Sequence, residues 1–281
     1  MKHIKLSLVV VGVMSQFSLA VAGTLGEASL VSMNQTGYFA GIGGSYNFAH
    51  LNSKTFGLLD ATSGPPPLGL FSGTTGSHSN TVHTFSPEAQ AGYFSYFKTS
   101  QWLWGIEFLY QYSNLKNRTQ GSGHINLIDS VVNTVDTVSL GAIKTRVKNT
   151  LMLPAFIGHS YKHGFIYAGI GPSLFDTQQK ISNIDDTLSA LYIGNAGRLS
   201  RNKWIWGGAV QAGVAYYLSS TWFFKLNYSC AFTGNFTQND SLSFSPEVNN
   251  GLNSGTLNFN SHQRLVTQEV ALSINKVFDI V

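Results

Sequence analysis

Three ionisable residues lie in segments that are otherwise rich in apolar and aromatic side chains. Glu107 belongs to the run WLWGIEFLYQY at 102–112, Lys225 to 221–233 and Glu269 to 262–278. Each run alternates in polarity with a period of two, which is typical of a β-strand whose faces meet different environments. Glu107 and Lys225 lie four to five residues from their nearest predicted tight turns, so we expect an ion pair between them inside the fold. A structural plug is the favoured role of these charges, and a proton or ion gate is the alternative.

Two Ser–His neighbours could supply a nucleophile and a base, which hydrolases and acyltransferases need within hydrogen-bond reach of each other. His159-Ser160 falls in a predicted tight turn. Ser261-His262 falls near the end of a predicted strand, where adjacent side chains point to opposite faces and cannot share a proton. The sequence therefore predicts no catalytic residues.

No cofactor or metal site is predicted. His78 and His83 share one polar segment at a spacing that matches no standard metal pattern, so we interpret them as solvated. Gly41-Ile-Gly-Gly44 lies within a strand pattern rather than at the start of a helix, which argues against a phosphate-binding loop. Cys230 is the single cysteine, and its place in an alternating run indicates a small apolar side chain.

The run at 102–112 indicates which environment each face of the strands meets. All six even positions from Trp102 to Tyr112 are large and apolar or aromatic, whereas the odd positions include Glu107 and Gln111. A strand of a soluble sandwich seldom places six bulky groups on one face opposite a carboxylate. The pattern favours an apolar face toward lipid and a polar face toward the inside of a barrel.

Composition agrees with a chain that faces lipid. Charged residues make up only 11% and aromatics 13% of the 281 residues, whereas about a quarter of a soluble domain is charged. Residues 1–22 have a basic start, an apolar stretch and a small-residue end, which predicts a secretory signal peptide. Lys2 and Lys5 supply two of the four net positive charges, and with no basic cluster elsewhere we expect no nucleic-acid partner.

Eight runs carry the strand pattern, at 38–48, 87–97, 102–112, 147–157, 164–175, 203–218, 221–233 and 262–278. Short connections alternate with long polar segments, which lie at 49–86, 113–146, 176–202 and 234–261. This asymmetry predicts an all-β fold, an eight-stranded antiparallel transmembrane β-barrel with short periplasmic turns and four long extracellular loops. Ten strands are the alternative, because Ile125–Val138 or Leu51–Leu59 could extend or add a hairpin. The predicted domains are the signal peptide at 1–22, a periplasmic segment at 23–37 and the barrel at 38–281.

Within 38–278 the chain resembles the small eight-stranded outer-membrane barrels of Gram-negative bacteria, including the transmembrane domain of outer-membrane protein A and the opacity-type surface proteins. The resemblance is carried by Tyr38–Gly44 (YFAGIGG), Ala91–Tyr93 (AGY) and Ile170–Leu174 (IGPSL). It implies a place in the cell outer membrane and, by analogy, adhesion. Such barrels end on an aromatic residue; Phe278 has the right phase here but is followed by Asp279-Ile-Val281.

Trp102, Trp104, Tyr216 and Trp222 lie beside predicted tight turns, so we expect them to form the periplasmic aromatic girdle of the barrel.

The sequence supports three functional hypotheses. The first is a non-enzymatic surface protein whose partners are outer-membrane lipid, lipopolysaccharide and host surface molecules. The second is a narrow channel for ions or small apolar solutes, and the third is an enzyme that modifies lipid A. The sequence leaves the oligomeric state, the ligand of the loops and the role of Cys230 open.

Overall fold

The computed structural model describes residues 36–65, 68–75, 78–118, 123–129, 135–186, 194–250 and 252–279. The predicted signal peptide at 1–22 lies outside the described residues, as does all of the predicted segment 23–37 except Thr36 and Gly37. Among the described residues, no helix is long and apolar enough to cross a membrane.

The described residues form 13 strands in one antiparallel sheet, with one short helix. The strands are β1 (Gly37–Ser63), β2 (Gly69–Thr74), β3 (His78–Tyr96), β4 (Trp102–Gln111), β5 (Leu115–Arg118), β6 (Gly123–Asp129), β7 (Val135–Met152), β8 (Ala155–Tyr161), β9 (Gly164–Asp186), β10 (Gly194–Tyr217), β11 (Trp222–Thr233), β12 (Phe236–Phe244) and β13 (Ser254–Asp279). The helix, α1 (Pro246–Asn249), lies between β12 and β13.

The sheet closes into a barrel because its last strand pairs with its first. β13 pairs with β1 from Gly37 opposite Asp279 to Ser63 opposite Ser254. At four places in the ring, two or three shorter strands lie end to end and together occupy the place of one long strand. These sets are β2 and β3; β4, β5 and β6; β7 and β8; and β11 and β12. The ring therefore has 8 positions, which confirms the predicted eight-stranded barrel, and the ten-stranded alternative is wrong. Leu51–Leu59 lies within β1, and the described parts of 125–138 belong to β6 and β7, so both lengthen the wall.

The wall is much longer than a membrane requires. β1 has 27 residues and β13 has 26, whereas about 9–11 residues of a tilted strand cross a bilayer. All the long connections lie at one end of the barrel, as the sequence predicts. Their interpretation as surface loops is corrected, because their described parts are mostly paired strand, at 49–86, 113–146, 176–202 and 234–261. Outside lipid the outer face needs no apolar side chains, so these strands lose the alternation by which a sequence reveals them.

Short turns close the other end of the barrel. The turn between β8 and β9 contains only Lys162 and His163, because β8 continues to Tyr161 beyond the start of the turn predicted from His159. Pro154 lies between β7 and β8 without a bulge: the register with β4 is the same at Met152, opposite Leu109, as at Ala155. The Pro154 carbonyl accepts a hydrogen bond from the Glu107 N–H at 3.0 Å.

The outward face of the wall changes from apolar to polar at one level. In β4 the even positions are exposed and the odd positions are buried, as the sequence predicts. At the upper edge of the band, the last apolar residue of each strand's band segment is followed two positions later by a polar one: Phe48 by His50, Phe85 by His83, Leu151 by Asn149, Leu174 by Asp176, Trp204 by Asn202 and Val266 by Arg264. This boundary marks the outer surface of the bilayer, and the longer strands continue beyond it.

Three apolar clusters fill the lumen and alternate with polar layers. The cluster near the short turns contains Phe39, Phe94 and Phe223, the middle one contains Leu109, Met152 and Phe175, and the distal one contains Leu59, Phe71 and Phe259. Phe71, Phe94 and Phe175 are fully buried. An eight-stranded barrel is just wide enough for its own side chains to fill, and here they do so at three heights.

The assignment of the lipid-facing band predicts a position-dependent cost of charge. Phe108 is 46% exposed in the middle of the band, and Leu70 is 52% exposed on β2, beyond the membrane boundary. Phe108→Arg should lower the free energy of unfolding in lipid by about 2–4 kcal/mol, because a cation near the bilayer midplane loses its hydration. Leu70→Arg, the matched control in water, should change it by less than about 0.5 kcal/mol. Urea unfolding in lipid vesicles measures both, and equal costs would contradict the assigned band.

Candidate functional site

Lys225 of β11 and Glu107 of β4 form an ion pair through the lumen. Their strands are not neighbours, since β4 pairs with β3, β7 and β8, and β11 pairs with β10 and β13. Both side chains point inward at odd positions of their strands, and both are buried. The pair therefore connects opposite sides of the barrel wall.

Amide and aromatic side chains complete the surroundings of the two ions. Lys225 Nζ donates a hydrogen bond to Gln90 Oε1 at 3.0 Å and lies 5.3 Å from the centre of the Tyr167 ring. Gln211 Nε2 donates to the second carboxylate oxygen of Glu107 at 3.2 Å. These contacts replace part of the hydration that both ions lose on burial, which is the condition for a buried pair to be tolerated.

Glu269 lies in the same layer but bonds to a different set of residues. Ser229 Oγ donates to Glu269 Oε1 at 2.6 Å, and Gln111 Nε2 donates to Glu269 Oε2. Gln111 also donates to Asn47 Oδ1 at 3.0 Å. The structure thus places all three predicted interior charges in one polar layer, and only Glu107 and Lys225 form an ion pair.

A fourth ionisable residue of this layer, Glu88 of β3, was missed among the sequence candidates. It is buried, and its Oε2 has no hydrogen-bond partner among the described residues. The signal was in the sequence, because the alternation of 87–97 puts Glu88 on the same face as Gln90 and opposite Ala89. The layer therefore contains three carboxyl groups and a single lysine.

The predicted periplasmic aromatic residues point outward near the short turns. Trp102, Trp104, Tyr216 and Trp222 are all exposed at the surface of the protein. The Trp102 ring lies 5.1 Å from the His159 ring, centre to centre. Sequence reasoning missed a second group of aromatics at the outer boundary, which consists of Tyr46, Phe48, Phe85, Tyr110, Tyr112, Trp204 and Trp206. Their recognition requires the height of each residue in the wall, which the strand pairing provides.

The Ser–His neighbours do not form pairs. Ser261 points into the lumen, where its Oγ lies 2.8 Å from Thr55 Oγ1, whereas His262 is exposed on the outer face. Ser160 and His159 likewise lie on opposite faces. Within the described residues, no group of His, Cys, Asp and Glu side chains has the geometry of a metal site.

The remaining sequence candidates lie in the wall. His83 packs edge-on against the Phe48 ring at 5.0 Å, and the position of the His78 side chain is outside the described part of the chain. Cys230 is half-buried on the outward face of β11. The Gly41–Gly44 stretch lies within β1, where a Cβ on Gly41 would be 2.0 Å from Asn275 Oδ1, so close packing inside the barrel accounts for this glycine.

Within the described part of the chain, the distal wall has two seams, one between β3 and β5, whose backbones do not pair, and one beside β12. Among the described residues, β12 pairs only with β13, and no backbone pairing connects it to the distal half of β10. Lys203 Nζ reaches across to the Thr237 carbonyl at 2.8 Å, and Arg201 lies 3.8 Å from Asp240. Burial raises the pKa of Asp240 above its usual value, and the Arg201 guanidinium opposes this shift. A groove of about 430 Å³ lies beside this ion pair.

Comparison with known proteins gives no match to a family model and none to a curated protein. Among solved structures, the chain is similar to the outer-membrane protein OprG from Pseudomonas aeruginosa (12% identity, 88% of this chain and 98% of that chain covered, TM-score 0.38). It is also similar to Neisserial surface protein A (12%, 82% and 97%, 0.32) and to the outer-membrane protease OmpT from Escherichia coli (11%, 89% and 99%, 0.37).

The class of the protein follows from its own wall. In the membrane-spanning part, the closed ring of 8 strands pairs its backbone groups without water. Its outer surface carries an apolar band with aromatic residues at both edges, and its lumen is polar in part. These are the features of a bacterial outer-membrane β-barrel, and the chain is an eight-stranded protein of this class located in the outer membrane.

The polar layer predicts opposite effects for two similar substitutions. Glu107→Gln leaves Lys225 buried without its counter-ion, which should cost about 3–5 kcal/mol of unfolding free energy. Glu88→Gln removes a carboxyl group that lacks a complete set of partners, so stability should be unchanged or higher. Urea unfolding of both variants in lipid vesicles compares them directly. A loss of stability in Glu88→Gln as large as that in Glu107→Gln would contradict the assigned pairing.

Proposed function

We propose that this protein is a non-enzymatic and non-conducting surface protein whose extracellular barrel extension contacts other molecules or cells. The observation that carries the proposal is the filling of the lumen at three heights by buried aromatic and aliphatic side chains. The Lys225–Glu107 pair closes the polar layer between two of these clusters. A solute would have to displace every layer to pass.

The distal tips offer a surface for such contacts. Val248 in the β12–β13 connection is 79% exposed, Leu252 is 57% exposed, and Leu68 beside β2 is 44% exposed, although all three lie beyond the membrane boundary. Thr62 Oγ1 donates to the Ser254 carbonyl at 3.2 Å, so the β1–β2 and β12–β13 connections lie side by side. Exposed apolar side chains on neighbouring connections are therefore candidate contact positions.

A narrow channel is the second candidate. It is favoured by one observation, a void of about 10 Å³ beside Glu107 and Lys225, lined otherwise by aromatic rings. A void of this size holds at most about one water molecule, so conduction would need rearrangement of the ion pair. The position of Ser261 and His262 on opposite faces of β13 argues against an enzyme. Mass spectrometry of lipid A after expression would detect a lipid A-modifying reaction.

Conductance separates the surface protein from the channel. In planar bilayers the purified protein should give no steady single-channel steps, because the lumen is filled, while a porin reconstituted in parallel should conduct. Reproducible steps that disappear in Lys225→Met would support the channel and contradict the proposal.

The tips predict where binding takes place. Val248→Asp/Leu252→Asp should reduce adhesion of expressing bacteria to host cells at least about threefold, because a charge at each apolar contact opposes its desolvation. Ser72→Asp/Ser243→Asp, which adds the same charge to exposed polar positions of the extension, is the control and should leave adhesion unchanged. The free energy of unfolding should be unaffected in both. Equal adhesion of both variants and the wild type would exclude these tips as the binding surface.

A further inference from the structure

A basic strip lies on the outward face of the wall just beyond the membrane. It consists of Lys116 on β5, Lys144, Arg146 and Lys148 on β7, and Lys180 on β9. The strand register places Lys116 directly opposite Arg146, and Lys144 directly opposite Lys180. The register also places Arg118 opposite Lys144 on the other side. Two rows of like charge thus cross neighbouring strands.

This arrangement opposes folding unless an anion compensates it, because like charges directly opposite each other in a sheet repel. Within the part of the chain that the structure describes, no carboxylate forms a salt bridge with the basic strip. Arg146 Nη2 donates to Tyr112 Oη at 3.4 Å, and Lys148 Nζ donates to Asn202 Oδ1 at 3.3 Å. Both partners are neutral, so the charges of the strip are not balanced by these contacts.

The height of the strip indicates where the anion comes from. Tyr110 and Tyr112 are the last outward aromatics of their segment, and Tyr110 Oη donates to Asn149 Oδ1 at 3.0 Å. Arg146 contacts the Tyr112 hydroxyl and therefore lies at the boundary itself. Lys116 and Lys144 lie only a few residues further out. The strip faces sideways, toward the lipid headgroups of the outer leaflet rather than toward the solution above the barrel.

We propose that the basic strip binds the phosphate groups of lipopolysaccharide in the outer leaflet. Lipid A and the inner core carry several phosphates at this height, and a guanidinium can bind a phosphate through two parallel hydrogen bonds. Clusters of Lys and Arg next to a membrane surface attract anionic headgroups by the same electrostatics. The bound phosphates offset the repulsion between the opposed cations, so lipopolysaccharide stabilises the distal wall.

The charge distribution along the same strands argues against a polyanion from solution. Asp185 and Asp186 lie at the distal end of β9, five and six residues beyond Lys180, and Asp185 pairs with Ser139. Asp136 and Asp129 occupy distal positions on β7 and β6. Asp176 of β9 is the exception at the membrane boundary, where its carboxylate accepts a hydrogen bond from Asn149 Nδ2 at 2.9 Å. The other acidic positions of these strands lie farther from the membrane than the basic strip, which favours an anion held in the leaflet.

The test compares two variants that lose the same charge. Lys144→Gln/Arg146→Gln/Lys180→Gln removes three cations of the strip, and Lys98→Gln/Lys162→Gln/Lys276→Gln removes three exposed cations at the opposite, short-turn end. The full-length protein is folded in nonionic micelles, and urea unfolding is followed as bisphosphorylated lipid A is added. A ligand that binds only the folded state raises the midpoint in proportion to its affinity.

We expect the strip variant to be at least as stable as the wild type without lipid A, because the repulsion is relieved. With lipid A the order should reverse, since the strip variant should bind about 10- to 100-fold more weakly. The control variant should bind within about twofold of the wild type, and the affinity of the wild type should fall as salt increases. Dephosphorylated lipid A and free inorganic phosphate should both stabilise the wild type far less.

Three results would overturn the proposal. The first is equal binding of lipid A by the strip variant and the wild type. The second is equal stabilisation by dephosphorylated lipid A, which would assign the binding to the acyl chains. The third is stabilisation by soluble heparin with none by lipid A, which would assign the strip to a polyanion from solution.

Discussion

The lumen of an eight-stranded barrel has to be filled by side chains, and any charge among them needs a partner. Lys225 and Glu107 satisfy this constraint from opposite sides of the wall, and Gln90 and Gln211 complete their hydrogen bonds. Burying either ion alone costs free energy, so each needs the other as its partner. The two can meet only when the ring is closed, because closure brings β4 and β11 within reach of each other across the lumen. The apolar clusters on both sides of the pair depend on the same closure.

The outer face is governed by the surroundings of the wall rather than by the lumen. Inside the bilayer it carries apolar side chains such as Phe108, and beyond the boundary it carries amides, hydroxyls and cations such as Lys144. The inward face keeps its mixture of polar and apolar layers along the whole length. One continuous sheet therefore meets lipid, lipid headgroups and solution in turn, and its chemistry changes at each level.

Much of the membrane barrel could be predicted from the sequence, because a period of two is a local signal and the lipid-facing side chains are uniformly apolar. The inward position of Lys225 and the outward position of Trp102 follow from alternation alone. The distal strands could not be predicted, since both of their faces carry polar residues there. The opposed pair Lys144 and Lys180 cannot be recognised in the sequence, because the two residues are 36 positions apart and only the strand register places them opposite each other. The inward position of Glu88, by contrast, follows from the alternation of 87–97.

The most direct test of this account is a double-mutant cycle on the ion pair, measured as unfolding free energies in lipid vesicles. Lys225→Met and Glu107→Leu should each cost about 3–5 kcal/mol, because each leaves one buried ion without its partner. The double variant should recover most of this loss, giving a coupling energy of about 3 kcal/mol or more between the two positions. Additive costs, with no recovery in the double variant, would show that the pair does not hold the barrel closed and would contradict the account.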